Sequence, residues 1–287
     1  MGLKYTALQR AATWRPATEQ DRTMIVDCHT HVRSLDSTDT SEHLAAVETV
    51  DACVVLASCN GPREDTNRKL SEYVARHRDK MVGFAVVDPT QDRIRDRGLA
   101  ALTEKLGLQG LVIYCSMAGF HPAHSQAMRL YGMAQEAGLP IFFHNGSHAL
   151  GAQAVLEYAQ PYLLDEVARA FPRLKFVIGN MGVPFVEQTL SMVSKHENVF
   201  ADLTIRPGKI WQTYNIVVAA HERNVMDKLV FGSGFPAARS GECIEALLGF
   251  NMLLADTKLP TVPRGNIRGV IERDSLDLLG VRGSAAG

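Results

Sequence analysis

Eight short apolar runs alternate with helix-patterned stretches from residue 24 to residue 279, and this alternation restricts the fold more than anything else in the chain. The runs cover residues 24–28, 52–57, 81–87, 108–114, 140–143, 175–179, 199–202 and 228–231. Most are continuously apolar rather than alternating, the pattern of strands buried on both faces in a parallel sheet. Helical spacing fills the gaps, at 42–50, 67–77, 93–106, 125–137, 155–171, 184–195, 209–221, 241–254 and 266–279. Ser41 and Ser240 read as caps for the helices that follow them, and Gly138 as a stop. The pattern predicts an α/β fold, a single distorted (β/α)8 TIM barrel over residues 23–287, with residues 1–22 as an N-terminal arm ahead of it. The competing architecture is a doubly wound open sheet. That fold usually carries a Gly-rich phosphate loop after its first strand, and here His29-Thr30-His31 stands in that place.

In an extended strand residues i and i+2 share a face. His29 and His31 can therefore reach one point in space, as two ligands of one metal must. Barrel chemistry sits at the C-terminal ends of the strands, and His144 ends the fifth run. Three imidazoles with a free position make a zinc site of the open, catalytic kind. The other strand ends offer Cys59, Asn60, Asp88, Tyr114, Cys115, Asn180, Asp202, Ser233 and Gly234. Alternation turns Cys28 away from its two histidine neighbours, and Cys115 is a thiol with no evident partner base.

Composition removes several classes of partner. Among 287 residues, 30 Lys and Arg oppose 31 Asp and Glu, for a net charge of −1. No basic run is present, which argues against nucleic acid and anionic membranes. No apolar run reaches the roughly 20 residues of a membrane span. A small-molecule substrate is the expected partner, with a homo-oligomer left open. Five scattered cysteines, odd in number, suit reduced thiols and a cytoplasmic location.

Four strand ends also carry a family resemblance. The segment Ile25-Val26-Asp27-Cys28-His29-Thr30-His31 resembles the first-strand signature of the amidohydrolase superfamily, in its amidohydrolase-related (amidohydrolase 2) branch. Leu139-Pro140-Ile141-Phe142-Phe143-His144 is similar to the strand-five segment whose histidine binds metal. Phe176-Val177-Ile178-Gly179-Asn180-Met181-Gly182 is similar to the strand-six His-x-Gly segment. Leu229 to Pro236 is similar to the strand-eight Gly-Ser-Asp-aromatic-Pro segment. The branch holds metal-dependent hydrolases, lactonases and non-oxidative decarboxylases. The resemblance implies a hydrolase or carboxy-lyase for a small carboxylated or cyclic substrate, with His29, His31 and His144 as metal ligands.

Two of these segments depart from the pattern. Asn180 stands where the family usually has histidine, and Gly234 where it usually has the aspartate that binds metal and moves protons. Asparagine cannot shuttle a proton near neutral pH, and glycine has no side chain. A divalent metal, zinc by ligand type, is thus expected to be weakly held or absent. It should also be lost as pH falls below the ordinary histidine pKa of about 6.5. Asn180, His121, His124 and Asp202 are the candidates for acid/base work, with His148 a further loop histidine. An aspartate returned at position 234 should aim at the metal unless the backbone there has positive φ. The alternative to an enzyme is a non-catalytic barrel that binds a small molecule or a partner protein.

Overall fold

The computed structural model describes residues 23–92, 96–144 and 152–281. The expected arm, His148 and the last six residues lie outside the described residues. Eight parallel strands form one sheet in chain order: β1 (Val26–Thr30), β2 (Ala52–Leu56), β3 (Met81–Val86), β4 (Gly110–Ile113), β5 (Ile141–Phe143), β6 (Phe176–Ile178), β7 (Val199–Thr204) and β8 (Leu229–Gly232). Each strand pairs with the next. The ends meet beyond β8, where Thr30 bridges Phe235 in parallel, His31 N–H donates to Phe235 O at 3.0 Å, and Gly234 N–H donates to His29 O at 2.9 Å. The result is a TIM barrel.

Almost every strand residue is buried, because helices cover the outside while side chains fill the inside. That double burial is why the strands read as unbroken apolar runs. One buried carboxylate helps to close the ring. Asp27 on β1 accepts from Ser233 N–H at 3.0 Å, His29 N–H at 3.1 Å and Ser240 Oγ–H at 2.6 Å. Burial pushes its pKa up while these donors pull it down.

Several helices differ from expectation for local reasons. The helix expected over 155–171 is two 3-10 turns, Leu156–Ala159 and Pro161–Leu164, and then an α-helix, Asp165–Ala170. Pro161 has no N–H and its ring would clash with the preceding turn. The last expected helix is two, Arg264–Ile271 and Ser275–Leu279, the second capped by the Asp274 side chain on Asp277 N–H at 3.0 Å. The first helix, Ser37–Ala46, is capped by Asp36 rather than Ser41. Ser240 caps nothing with its side chain, since that hydroxyl is committed to Asp27. Among the described residues, no helix is long and apolar enough to cross a membrane.

Candidate metal centre

The C-terminal mouth of the barrel opens into a cavity of about 480 Å³. Its lining includes His29, His31, Tyr114, His144, Asn180 and Gly234, with Arg33 and Arg206 among the groups around them. The Nε2 atoms of His29, His31 and His144 form a triangle with all three edges 3.1 Å. β1 supplies the first ligand and the residue just after it the second. The third follows β5, where His144 N–H donates to Ile113 O at 2.9 Å.

The far side of each β1 imidazole decides what the near side can be. His29 Nδ1 lies 2.5 Å from Asp202 Oδ2, and His31 Nδ1 lies 2.9 Å from Leu56 O. Both partners are acceptors, so both Nδ1 atoms carry the proton and, in the neutral rings, both Nε2 atoms present lone pairs. Two lone pairs 3.1 Å apart cannot hydrogen-bond to each other. A cation between them resolves the conflict, and tetrahedral zinc would set its nitrogen ligands about 3.3 Å apart. The donor set therefore fits a divalent metal. Burial, with His29 adjoining, pushes His31 down to about 3, so this ring keeps its lone pair well below neutral pH. The pH limit near 6.5 expected for metal retention does not come from His31.

Asp202, a candidate for proton transfer in the sequence, lies behind His29 and is fully buried. Its Oδ2 accepts from His29 Nδ1–H, from Thr204 Oγ1–H at 2.5 Å and from Asn180 N–H at 3.0 Å. Such an arrangement fixes a ligand's tautomer and angle and strengthens its donor nitrogen. Asp202 is not among the residues lining the cavity.

Asn180 sits at the mouth in the left-handed region, φ 53° and ψ 34°, a conformation asparagine tolerates better than most residues. Its Nδ2 donates to Thr204 Oγ1 at 3.1 Å. The loop histidines are elsewhere. His121 Nδ1 accepts from Ala123 N–H at 3.0 Å, and His124 Nδ1 accepts from Gln126 N–H at 3.3 Å to cap the helix Ser125–Ala137. Neither lines the cavity. Cys115 is buried and burial pushes its thiol far above the ordinary range, which removes it as a nucleophile. Burial likewise raises Tyr114, whose hydroxyl donates to Ala57 O at 2.9 Å.

Gly234 has φ +65°, and a Cβ there would stand 2.7 Å from Thr204 Cγ2. This is the positive φ under which an aspartate at this position would be strained and not simply aim at the metal. The backbone has adopted a shape that suits glycine.

Sequence reasoning missed the two arginines. Arg33 is exposed at the rim, and Arg206 is half-buried, with burial lowering its pKa and Asp202 partly restoring it. A signal was present, because His29-His31-Arg33 and Asp202-Thr204-Arg206 are both rows of period two. Continuing each row beyond its strand leads to a residue of the cavity wall.

A (β/α)8 barrel with converging histidines at its C-terminal mouth defines a class of site built for metal-assisted chemistry on small molecules. The family model described as amidohydrolase (Amidohydro_2) matches residues 26–259, and the chain belongs to that family. No curated protein sequence matches it. Among solved structures, a probable 2-pyrone-4,6-dicarboxylic acid hydrolase from Acinetobacter baumannii, with citric acid bound, has a TM-score of 0.64 at 15% identity, covering 89% of this chain and 99% of that one. A 2,6-dihydroxybenzoate decarboxylase from Rhizobium has a TM-score of 0.62 at 13% identity, covering 90% and 99%. A 5-carboxyvanillate decarboxylase mutant from Novosphingobium aromaticivorans, with bound manganese and a nitrobenzoic acid, has a TM-score of 0.64 at 11% identity, covering 91% and 98%.

Proposed function

We propose that the chain is a metal-dependent enzyme for a small carboxylate, a carboxy-lyase in preference to a hydrolase. The observation that carries this reading is the triangle of Nε2 atoms, 3.1 Å on each edge, at a cavity that two arginines also line. His29, His31 and His144 would hold the ion. When bound, a divalent cation supplies an electrophile for a substrate oxygen. Zinc suits three imidazoles, and manganese is the ion in the decarboxylase from Novosphingobium.

The chain's own groups supply the rest. Arg33 and Arg206 offer charge and forked N–H donors to a carboxylate. Asp202 holds His29 in one tautomer, and Leu56 O does the same for His31. No Asp or Glu lines the cavity among the described residues, so no carboxylate there can take a proton from an attacking water. Loss of CO₂ needs no such base. The bonding pair of the broken C–C bond stays on the substrate carbon, that carbon takes up one proton from solvent water, and CO₂ departs. A decarboxylase and a dicarboxylate hydrolase on the same barrel lend support to a carboxylated substrate.

The test is metal analysis of the purified protein, followed by CO₂ release and lactone hydrolysis across a panel of aromatic and unsaturated acids with added Zn²⁺ or Mn²⁺. Metal-dependent CO₂ release that disappears in His144→Ala is the expected result. Tight carboxylate binding with neither metal uptake nor turnover would instead establish the non-catalytic reading, which Asn180 and Gly234 favour.

A further inference from the structure

Two successive carbonyls at the end of β2 reach towards the three-histidine group. Leu56 O accepts from His31 Nδ1–H. Ala57 O, next in the chain, accepts from Tyr114 Oη–H at 2.9 Å. Tyr114 directly follows β4, so its phenol crosses the end of β3 to make this bond. The Ala57 peptide is itself pinned, its N–H donating to Phe84 O on β3 at 3.0 Å.

The face of the same phenol lies against the third histidine. The Tyr114 and His144 ring centroids are 4.8 Å apart, with 30° between the planes. The other rings around His144 meet it more steeply among the described residues, at 80° for His29, 61° for His31 and 41° for Phe142. The two side chains rise from neighbouring points, because His144 N–H donates to Ile113 O, one residue before Tyr114. Both are buried, and both line the cavity. Their separation is within the range of attractive aromatic pairs. An imidazole that shares its Nε2 lone pair with a cation becomes electron-poor, and the electron-rich face of a phenol then attracts it more strongly. The contact should therefore favour the metal-loaded ring over the free one.

We propose that Tyr114, anchored on Ala57 O, is a positioning residue for His144 and holds its imidazole at the angle that brings Nε2 to those of His29 and His31. The inference rests on the metal reading above and adds a support for the third ligand. The end of β2 then serves two ligands, His31 directly and His144 through the phenol.

Tyr114→Phe and Tyr114→Leu both remove the bond to Ala57 O, and only leucine removes the ring as well. In the full-length chain, Co²⁺ affinity is read by competition with a chromophoric chelator, and ligand geometry by the visible absorption of bound Co²⁺. Tyr114→Leu should weaken Co²⁺ binding by about 10-fold, as the loss of a ligand's support does, and should change the absorption bands. Tyr114→Phe, enclosed in the same space, should keep both close to the parent. In the metal-free parent and in Tyr114→Phe, the His144 ring protons should resonate upfield of an exposed histidine, because they lie against the face of an aromatic ring. Equal losses of affinity in the two variants would show that Tyr114 acts through Ala57 and the fold, and would overturn the inference. A leucine variant with the parent's affinity and spectrum would also overturn it. Should Tyr114→Leu fail to fold, weakened Co²⁺ binding in Tyr114→Phe or unshifted His144 protons would still do so. A parent that takes up no Co²⁺ would overturn the metal reading together with this inference.

Discussion

Asp202 Oδ2 lies 2.5 Å from His29 Nδ1, on the opposite side of the ring from the nitrogen that faces His31 and His144. The carboxylate bonded to the His29 ring is thus behind the imidazole, on the side away from the point where the three Nε2 atoms meet. There it would orient His29 and make its Nε2 a better donor to a cation without taking a coordination position itself. Asp202→Asn should weaken divalent-metal affinity by about 10–100-fold, the usual cost of losing such a partner. Competition with a chromophoric chelator measures it. An affinity within a factor of two of the parent would remove Asp202 from the metal's support.

Stability should depend on pH through a histidine outside the site. His43 is fully buried, with Nδ1 2.8 Å from Tyr73 Oη, and burial pushes its pKa down to about 4. The unfolded chain binds a proton there near pH 6.5, whereas the folded chain resists until about pH 4. The folded pKa is the lower one, so this contribution is fully present above pH 6.5 and is lost as pH falls towards 4. Its upper size is about 3 kcal/mol. Urea unfolding from pH 7 to pH 4 should show a shallower loss in His43→Gln than in the parent. Parallel curves would mean that His43 does not carry the dependence.

What could be read from sequence followed local rules. Runs such as Ala52-Cys53-Val54-Val55-Leu56 become strands buried on both faces, and period two alone puts His29 and His31 on one side. The helix Ser125–Ala137 and its stop at Gly138, φ 66°, were legible because spacing and glycine agree, whereas its cap, His124, was not. The partner of His29 was not legible. Asp202 is 173 residues away on a strand that is not its sheet neighbour, and no local pattern encodes a reach across β8. The left-handed backbone at Gly234 was equally hidden, since glycine is compatible with either sign of φ.

Restoring the familiar aspartate should fail for that reason. Gly234→Asp forces a branched carbon into φ +65° and to within 2.7 Å of Thr204 Cγ2. The conformation costs roughly 1–2 kcal/mol, and Thr204 must move although it anchors Asn180 and Asp202. A lower melting temperature with no gain in lactone hydrolysis is expected. Raised metal affinity together with new hydrolysis would show that the turn can rearrange at small cost.

Gly232 supports the metal site through what it lacks. It lies on β8, between Asp202 on β7 and His29 on β1, and the two side chains meet across it. A Cβ built on Gly232 would overlap Asp202 Oδ1 and stand 2.9 Å from His29 Cβ. Neither neighbour can yield easily, because Asp202 Oδ2 is held by three donors and His29 is 2% exposed. One added methyl group should therefore separate the pair that a point change at Asp202 merely weakens. Gly232→Ala is expected to lose at least as much metal affinity as Asp202→Asn, and overpacking should lower its stability by about 1–3 kcal/mol. The double variant distinguishes a shared cause from two separate ones. If both act by releasing His29, the metal-affinity losses will be far from additive, with a coupling of roughly 0.5–3 kcal/mol. Additive losses would mean that Gly232 and Asp202 affect the site by independent routes.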